Sequence, residues 1–213
     1  EPDGFASPEE LLALRDVTLR AFRDCIEKSD IFVFTLGLTE SWFNADGYEY
    51  PMCPGTVAGS FDPDRHRFVN QGFNQVRQAL AQAIQAMRAV NPDLRFLLTV
   101  SPVPLTATNA GQHVVTATME SKSILRAVAG EIARNRAFAD YFPSYEIINS
   151  PAFRGVFFEP NMRSVNPRGV AFVMETFFTA LERKFGLVTE TRAPRRPSQD
   201  DLHCEEAMLE AFG

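Results

Sequence analysis

The sequence predicts an α/β fold built around a parallel sheet. Two short apolar runs, 31–36 and 94–100, lack polar alternation and are typical of strands buried on both faces. Two segments with the 3.6-residue period of amphipathic helices, about 72–90 and 119–134, follow these runs along the chain. Strands that alternate with helices in this way form parallel sheets.

The remaining elements are predicted from capping and turn signals. Ser7, Pro8 and Glu10 form a capping box that opens a helix ending near Lys28. A third, weaker strand is expected at 145–148. The apolar residues expected to face inward on the first helix are Leu11, Leu14, Val17, Phe22, Cys25 and Ile26. A last helix is expected to open at Pro167, with Val170, Met174, Phe177, Phe178 and Leu181 inward.

The domain organisation follows from the breaks in these patterns. Residues 38–70 are expected to be irregular, apart from a hairpin turn at Asp46-Gly47. We expect one domain over 1–186, then a linker and a C-terminal helical tail over 187–213. Only three strands are visible, so one or two more are expected upstream of Glu1.

Composition excludes several functional classes. The 213 residues carry a net charge of −6, which argues against a nucleic-acid binder. No run approaches the ~20 apolar residues of a membrane span. Cys25, Cys53 and Cys204 are odd in number and widely spaced, which predicts neither a disulfide framework nor a zinc site. We therefore expect a cytoplasmic protein without a metal or other cofactor.

Ligands of open parallel sheets bind beyond the carboxyl ends of the strands. Three segments are predicted to lie there: 37–42, 101–106 and 149–166. Gly37 permits a sharp turn and Thr39 offers a hydroxyl, so together they are candidate donors to a developing oxyanion. The alternative is that Gly37 only ends a strand and Thr39 bonds locally.

Two histidines are candidate bases. His66 lies in a polar, turn-like stretch, where a solvated loop residue is the alternative. His113 lies in the loop after the second predicted strand, where it is a base, a ligand or a structural residue. Lys122 is predicted in the first turn of a helix, where a cation is disfavoured, which suggests contact with an anion or a buried carboxylate. Solvent exposure of Lys122 is the other reading.

Three further side chains fall at the same predicted edge. Glu40 and Trp42 follow the first strand, and Ser101 follows the second. Trp42 is a ligand platform or a cover for the core.

Several strings in the sequence resemble the GSCFA family, over roughly residues 1–180. They are Thr35-Leu-Gly-Leu-Thr-Glu-Ser-Trp42, Pro51-Met-Cys-Pro-Gly-Thr56, Leu98-Thr-Val-Ser-Pro-Val-Pro-Leu105, Ser121-Lys122, Asp140-Tyr-Phe-Pro-Ser-Tyr-Glu146 and Phe158-Glu-Pro-Asn-Met-Arg-Ser-Val165. The resemblance implies a three-layer α/β/α sandwich with a mostly parallel sheet, like that of the SGNH hydrolases. It also implies a serine nucleophile in an N-terminal Gly-Ser-Cys-Phe-Ala motif.

This chain departs from that pattern in two places. It does not contain the motif, since Gly4-Phe-Ala-Ser7 precedes a helix rather than following a strand, so an upstream segment is expected to supply the nucleophile. Asn161-Met-Arg-Ser164 stands where SGNH relatives carry Asp-x-x-His, and neither Asn161 nor Ser164 is a general base at neutral pH. Either His66 or His113 substitutes, or this branch does not hydrolyse esters.

The function that the resemblance implies is hydrolysis or transfer of an acyl ester on a carbohydrate or lipid. The substrate is then a small-molecule or glycan ester. The alternatives are a catalytically degenerate module that binds a carbohydrate or anion, and a structural domain. The expected catalytic residues are Thr39, His113 and His66, and the expected substrate contacts are Gly37, Glu40, Trp42, Ser101, Lys122, Asn161 and Ser164.

Overall fold

The computed structural model describes residues 4–56 and 59–186, which form two small sheets and five helices. The elements, in chain order, are α1 (Pro8–Lys28), β1 (Ile31–Leu36), β2 (Glu40–Phe43), β3 (Glu49–Tyr50), β4 (Arg67–Asn70), α2 (Phe73–Val90), β5 (Arg95–Val100), α3 (Val114–Asn135), β6 (Ala139–Tyr141), α4 (Ser144–Asn149), a 3₁₀ turn (Pro151–Phe153) and α5 (Pro167–Phe185). The predicted linker and tail at 187–213 lie outside the described ranges.

The larger sheet is parallel, as predicted, with strand order β1-β5-β6. Its central strand β5 carries the most buried residues, because α2 and α3 cover one of its faces. Phe96, Leu98 and Val100 are at most 2% exposed there and pack with Leu80 of α2 and Val128 of α3. This cluster is the hydrophobic core of the domain.

Strand β1 is an edge strand, and the prediction that it is buried on both faces is wrong. Arg95 N–H donates to the Asp30 carbonyl and Ser101 N–H to the Leu36 carbonyl, so the even-numbered residues of β1 bond to β5. The N–H and C=O groups of the odd-numbered residues face the open edge. The side chains of Ile31 and Val33 are each 58% exposed. A continuous apolar run in the sequence does not reveal whether both faces of the strand are covered by other elements or one is exposed.

Residues 38–70 are more ordered than predicted. They form a second, antiparallel sheet of order β3-β2-β4. The predicted hairpin turn is confirmed, with Gly47 at a φ of +86° and Asn44 N–H donating to the Tyr48 carbonyl at 2.9 Å. The strands are only two to four residues long, and the prolines and glycines around them hide their alternation.

The third strand of the parallel sheet is not where the sequence predicted it. Residues 145–148 belong to α4, and the strand is the short β6 (Ala139–Tyr141) before it. Glu146, which would be costly to bury alone in a strand, instead bonds to Arg126, and Tyr141 donates its hydroxyl to Glu146 at 2.8 Å.

Helix α3 begins at Val114, five residues before the predicted start. The β-branched run Val114-Val115-Thr116 does not read as helical, which explains the error. Lys122 therefore lies well inside the helix, and the expectation that it sits at a helix N-terminus is wrong.

Helices α1 and α5 begin where predicted but expose much of their apolar surface. Ser7 Oγ accepts from Glu10 N–H at 3.2 Å, as the capping box requires. The residues that were predicted to be inward and are instead more than 40% exposed are Leu11, Leu14, Val17, Phe22, Val170, Met174 and Phe178. No helix in the described ranges is long and apolar enough to span a membrane.

Gly169 of α5 tests the packing of this helix on the loop before it. A Cβ at Gly169 would lie 2.8 Å from Val165 Cγ1 and 2.9 Å from the Phe157 carbonyl oxygen. Gly169→Ala should lower the free energy of unfolding by about 1–3 kcal/mol, because the backbone of Phe157 cannot yield. Gly37→Ala is the control, since a Cβ there meets nothing within 4 Å. Urea unfolding that ranks Gly37→Ala as the more damaging change would contradict this packing.

Candidate functional site

The turn after β1, residues 37–39, is held at both ends by adjacent residues of α3. Thr39 N–H donates to Ser121 Oγ at 2.9 Å, and Lys122 Nζ donates to the Gly37 carbonyl at 2.9 Å. Ser121 and Lys122 are each 1% exposed. Two buried contacts therefore fix this turn at the carboxyl end of the parallel sheet.

Thr39 is an internal support of the turn. Its hydroxyl donates to Asn70 Oδ1 at 2.7 Å, its carbonyl accepts from Gln71 N–H at 2.9 Å, and the residue is 1% exposed. Both of its donors are engaged, so in this arrangement neither points toward a ligand.

The donors that remain available are in the main chain of the same turn. Gly37 and Leu38 are exposed, and their N–H groups have no acceptor among the described residues. Exposed N–H groups without an acceptor at the carboxyl end of a parallel sheet are candidate donors to a ligand that carries negative charge. Of the predicted pair of oxyanion donors, Gly37 retains a free donor and Thr39 does not.

Lys122 carries a charge into the core without a counter-charge. Within the described ranges, the Gly37 carbonyl is its one hydrogen-bond acceptor, and no carboxylate lies within 4.0 Å of Nζ. Burial lowers the pKa of Lys122 from 10.5 to about 8. Strongly perturbed groups at strand ends are typical of functional sites.

The loop after β5 reaches the same edge. Ser101 N–H donates to the Leu36 carbonyl at 2.9 Å, which places Ser101 beside the end of β1. Its Oγ accepts from Val103 N–H at 3.2 Å. Farther along this loop, Thr108 donates its hydroxyl to Glu40. Segments 37–42 and 101–108 are therefore joined.

His113 caps α3 rather than facing the turn. Its Nδ1 accepts from Val115 N–H at 3.3 Å, and the residue is exposed. Ser121 follows it by eight residues along α3, a rise of about 12 Å. His113 and Thr39 therefore do not contact, and only a long ligand would reach both.

His66 lies in the small sheet, apart from the turn. Its Nδ1 accepts from Asp62 N–H at 3.0 Å, and its ring packs against Tyr50 and Phe61. In both histidines a neutral ring that accepts at Nδ1 carries its proton on Nε2. Each then presents a donor rather than a base.

Trp42 belongs to the aromatic core of the small sheet. Its ring lies edge-to-face with Phe61 and Phe68, at 5.3 Å between centroids in both pairs. The side chain is half-buried by these rings, which matches the expectation of a core cover more closely than that of a ligand platform.

The third predicted segment closes on itself before α5. Asn161 Oδ1 accepts from the N–H groups of Arg163 at 2.9 Å and Ser164 at 3.0 Å, and Asn161 Nδ2 donates to Ser164 Oγ at 3.1 Å. Asn161 and Ser164 thus shape the loop. The residue that leaves it is Arg163, whose Nη2 donates to Thr106 Oγ1 in the loop after β5.

A groove along α5 does not coincide with this edge. About 600 Å³ of open space lies along α5 beside Phe172, Thr176 and Arg183. It is lined by a single helix and contains none of the residues named above, so we do not assign it to the site.

Sequence reasoning missed Ser121, Asn70 and Arg163. One signal was present, because Ser121 and Lys122 interrupt an apolar helical face that includes Ala117 and Leu125. Nothing in the spacing of Asn70 or Arg163 indicates their partners, which lie 31 and 57 residues away.

The lowered pKa of Lys122 makes stability depend on pH. Between pH 8 and 10.5 the unfolded chain binds more protons at this residue, so the free energy of unfolding rises with pH there. From pH 7 to 9.5 we expect a rise of about 2 kcal/mol in urea unfolding. Lys122→Met should remove the rise, and Lys184→Met, at an exposed lysine, should retain it. An equal rise in the Lys122→Met protein would show that Lys122 is not the source.

Comparison with known proteins gives a family and no individual relative. No curated protein and no solved structure matches this sequence. The GSCFA family matches over residues 5–177, which is more than half of the chain and includes the turn, both joined loops and most of α5. The match begins before α1 and covers every strand of both sheets. The chain therefore belongs to the GSCFA family.

Proposed function

We propose that this chain is part of an SGNH-like acyl-ester hydrolase or acyltransferase that acts on an acylated carbohydrate or lipid. The observation that carries the proposal is the pair of unengaged N–H groups at Gly37 and Leu38. They lie at the carboxyl end of a parallel sheet, where ligands of such sheets bind.

The chemistry assigned to this turn is stabilisation of negative charge. A nucleophilic oxygen attacks the ester carbonyl carbon, and the carbonyl oxygen becomes an oxyanion that accepts from the two N–H groups. The ester C–O bond then breaks, and the leaving alkoxide takes up the proton that the nucleophilic hydroxyl gave up. The acyl group passes from the nucleophile to water in a hydrolase, or to a second hydroxyl in a transferase.

The nucleophile is proposed to come from a strand that pairs with the open edge of β1. Among the described residues, the N–H and C=O groups of Ile31, Val33 and Thr35 have no partner on that edge. A parallel neighbour of β1 would end beside Gly37. In the family resemblance, the Gly-Ser-Cys-Phe-Ala motif supplies the serine at this place.

Ser121 gives the sharpest test of the turn. In a protein carrying the motif upstream of Glu1, we expect hydrolysis of p-nitrophenyl acetate or an acetylated disaccharide. Ser121→Ala should lower kcat about tenfold with little change in KM, because Thr39 N–H loses its acceptor and the donors lose alignment. Ser123→Ala is the matched control, since Ser123 is exposed two residues along the same helix.

The same assay separates this proposal from its alternatives. Residues 1–213 alone should show no turnover. Turnover by that chain would place the nucleophile within it, with Ser101→Ala the first variant to assay. An inactive motif-bearing protein would refute the hydrolase.

A second candidate function is a binding module without catalysis. It is favoured because no base is placed at the site by the part of the chain that the structure describes. The Nδ1 atoms of His66 and His113 accept backbone N–H groups, and Asn161 and Ser164 bond to each other. Saturable binding of an acetylated glycan by the motif-bearing protein, with no product released, would establish this function in place of the first.

A further inference from the structure

Arg163 is held in place by an ordered loop. Its N–H donates to Asn161 Oδ1 at 2.9 Å, and Glu159 N–H donates to the Ser164 carbonyl at 2.8 Å across the loop. The preceding residue, Met162, has a φ of +56°, a left-handed conformation that is unfavourable for a residue with a side chain. The loop therefore contains a strained backbone conformation at Met162, next to the residue whose side chain reaches the carboxyl edge of the sheet.

The guanidinium of Arg163 has more N–H donors than hydrogen-bond partners in its surroundings. Nη2 donates to Thr106 Oγ1, whereas Nε is buried and has no hydrogen-bond partner. It is the one buried side-chain nitrogen or oxygen in the described ranges without a partner. No carboxylate of the described residues lies within 4.0 Å of the Arg163 side chain. A buried donor of a charged group is costly without an acceptor, and a ligand oxygen would supply one.

The geometry of the side chain indicates the chemistry of that ligand. Nε–H and one Nη2–H lie on the same edge of the planar guanidinium and point in parallel. This fork matches the two oxygens of a carboxylate or phosphate. The Thr106 hydroxyl supplies one oxygen to Nη2 and none to Nε.

We propose that Arg163 binds an oxyanion of the substrate, a carboxylate or phosphate, through Nε and Nη2. The oxyanion replaces the Thr106 hydroxyl, which lies on an exposed residue and turns away by rotation about its Cα–Cβ bond. The inference deepens the proposed function, on which it rests, by naming the substrate as an ester that also carries a negative charge. Anion binding itself can be measured without turnover.

Because the chain is negative overall, an anion would bind this site through its local donors and not through the net charge of the protein. At a formal −6 the chain repels anions as a whole, so saturable anion binding requires a local cation with open donors. Arg163 has such a donor, whereas the Lys184 ammonium pairs with Asp140 at 2.7 Å and the Arg126 guanidinium pairs with Glu146.

The test is a titration of the chain with inorganic phosphate and, separately, with acetate, at ionic strength fixed with chloride. The Nε–H resonances of ¹⁵N-arginine-labelled protein give the readout. One resonance, absent from Arg163→Lys, should shift and saturate. Thermal denaturation under the same conditions should show a ligand-dependent rise in Tm. The apparent affinity derived from this rise should be at least tenfold lower in Arg163→Lys. Arg168→Gln, at an exposed arginine five residues away, should bind as the unchanged protein does.

Thr106→Val separates this site from a merely structural role of Arg163. Removing the competing hydroxyl should tighten phosphate binding several-fold, because the ligand no longer displaces it. Shifts that grow linearly without saturation, unchanged affinity in Arg163→Lys, or loss of binding in Thr106→Val would each overturn the proposal. In the motif-bearing protein, saturable anion binding without ester turnover would support the anion site and refute the hydrolase. Turnover by the same protein at a rate that depends neither on the charge of the substrate nor on Arg163 would support the hydrolase and refute the anion site.

Discussion

The contact on which the rest of the site depends is the hold that α3 has on the turn after β1. Ser121 accepts from Thr39 N–H and Lys122 donates to the Gly37 carbonyl, both from positions that are 1% exposed. Because α3 also packs on β5 and β6, the turn is tied to the core rather than to the surface. Burying an ammonium is costly when no described carboxylate pairs with it, and the bond from Lys122 to the Gly37 carbonyl offsets part of that cost.

The covering of the parallel sheet is uneven. On one face α2 and α3 bury Phe96, Leu98 and Val100, whereas Ile31 and Val33 on the opposite face of β1 are mostly exposed. Apolar side chains of α1 and α5 are exposed as well. Apolar surface of this extent is typical of a region that packs against further structure. The open edge and the bare face of β1 are adjacent, so one added strand with its helix would cover both.

The sequence predicted the parallel sheet and the starts of α1, α2 and α5, because caps and helical periodicity are local signals. Prediction from sequence failed where contacts between distant residues determine the local structure. The 145–148 segment is apolar enough for a strand, yet Pro143 and the pairing of Glu146 with Arg126 favour a helix. The three loops of the site were placed at one edge by a topological rule. Their partners were not predictable, because hydrogen bonds such as Thr39 to Asn70 and Arg163 to Thr106 join positions with no shared pattern.

The small sheet leaves and rejoins the larger one at nearly the same point. The chain departs after Thr39 and returns at Asn70 and Gln71, which bond to the Thr39 hydroxyl and carbonyl. The excursion of 30 residues between them is closed at its base, so its length enters the folding free energy only weakly. Insertions or deletions at its far tip, around Asp46-Gly47, would leave the register of β1 and the start of α2 untouched. The small sheet can therefore change in length and sequence during evolution while the turn at 37–39 stays the same.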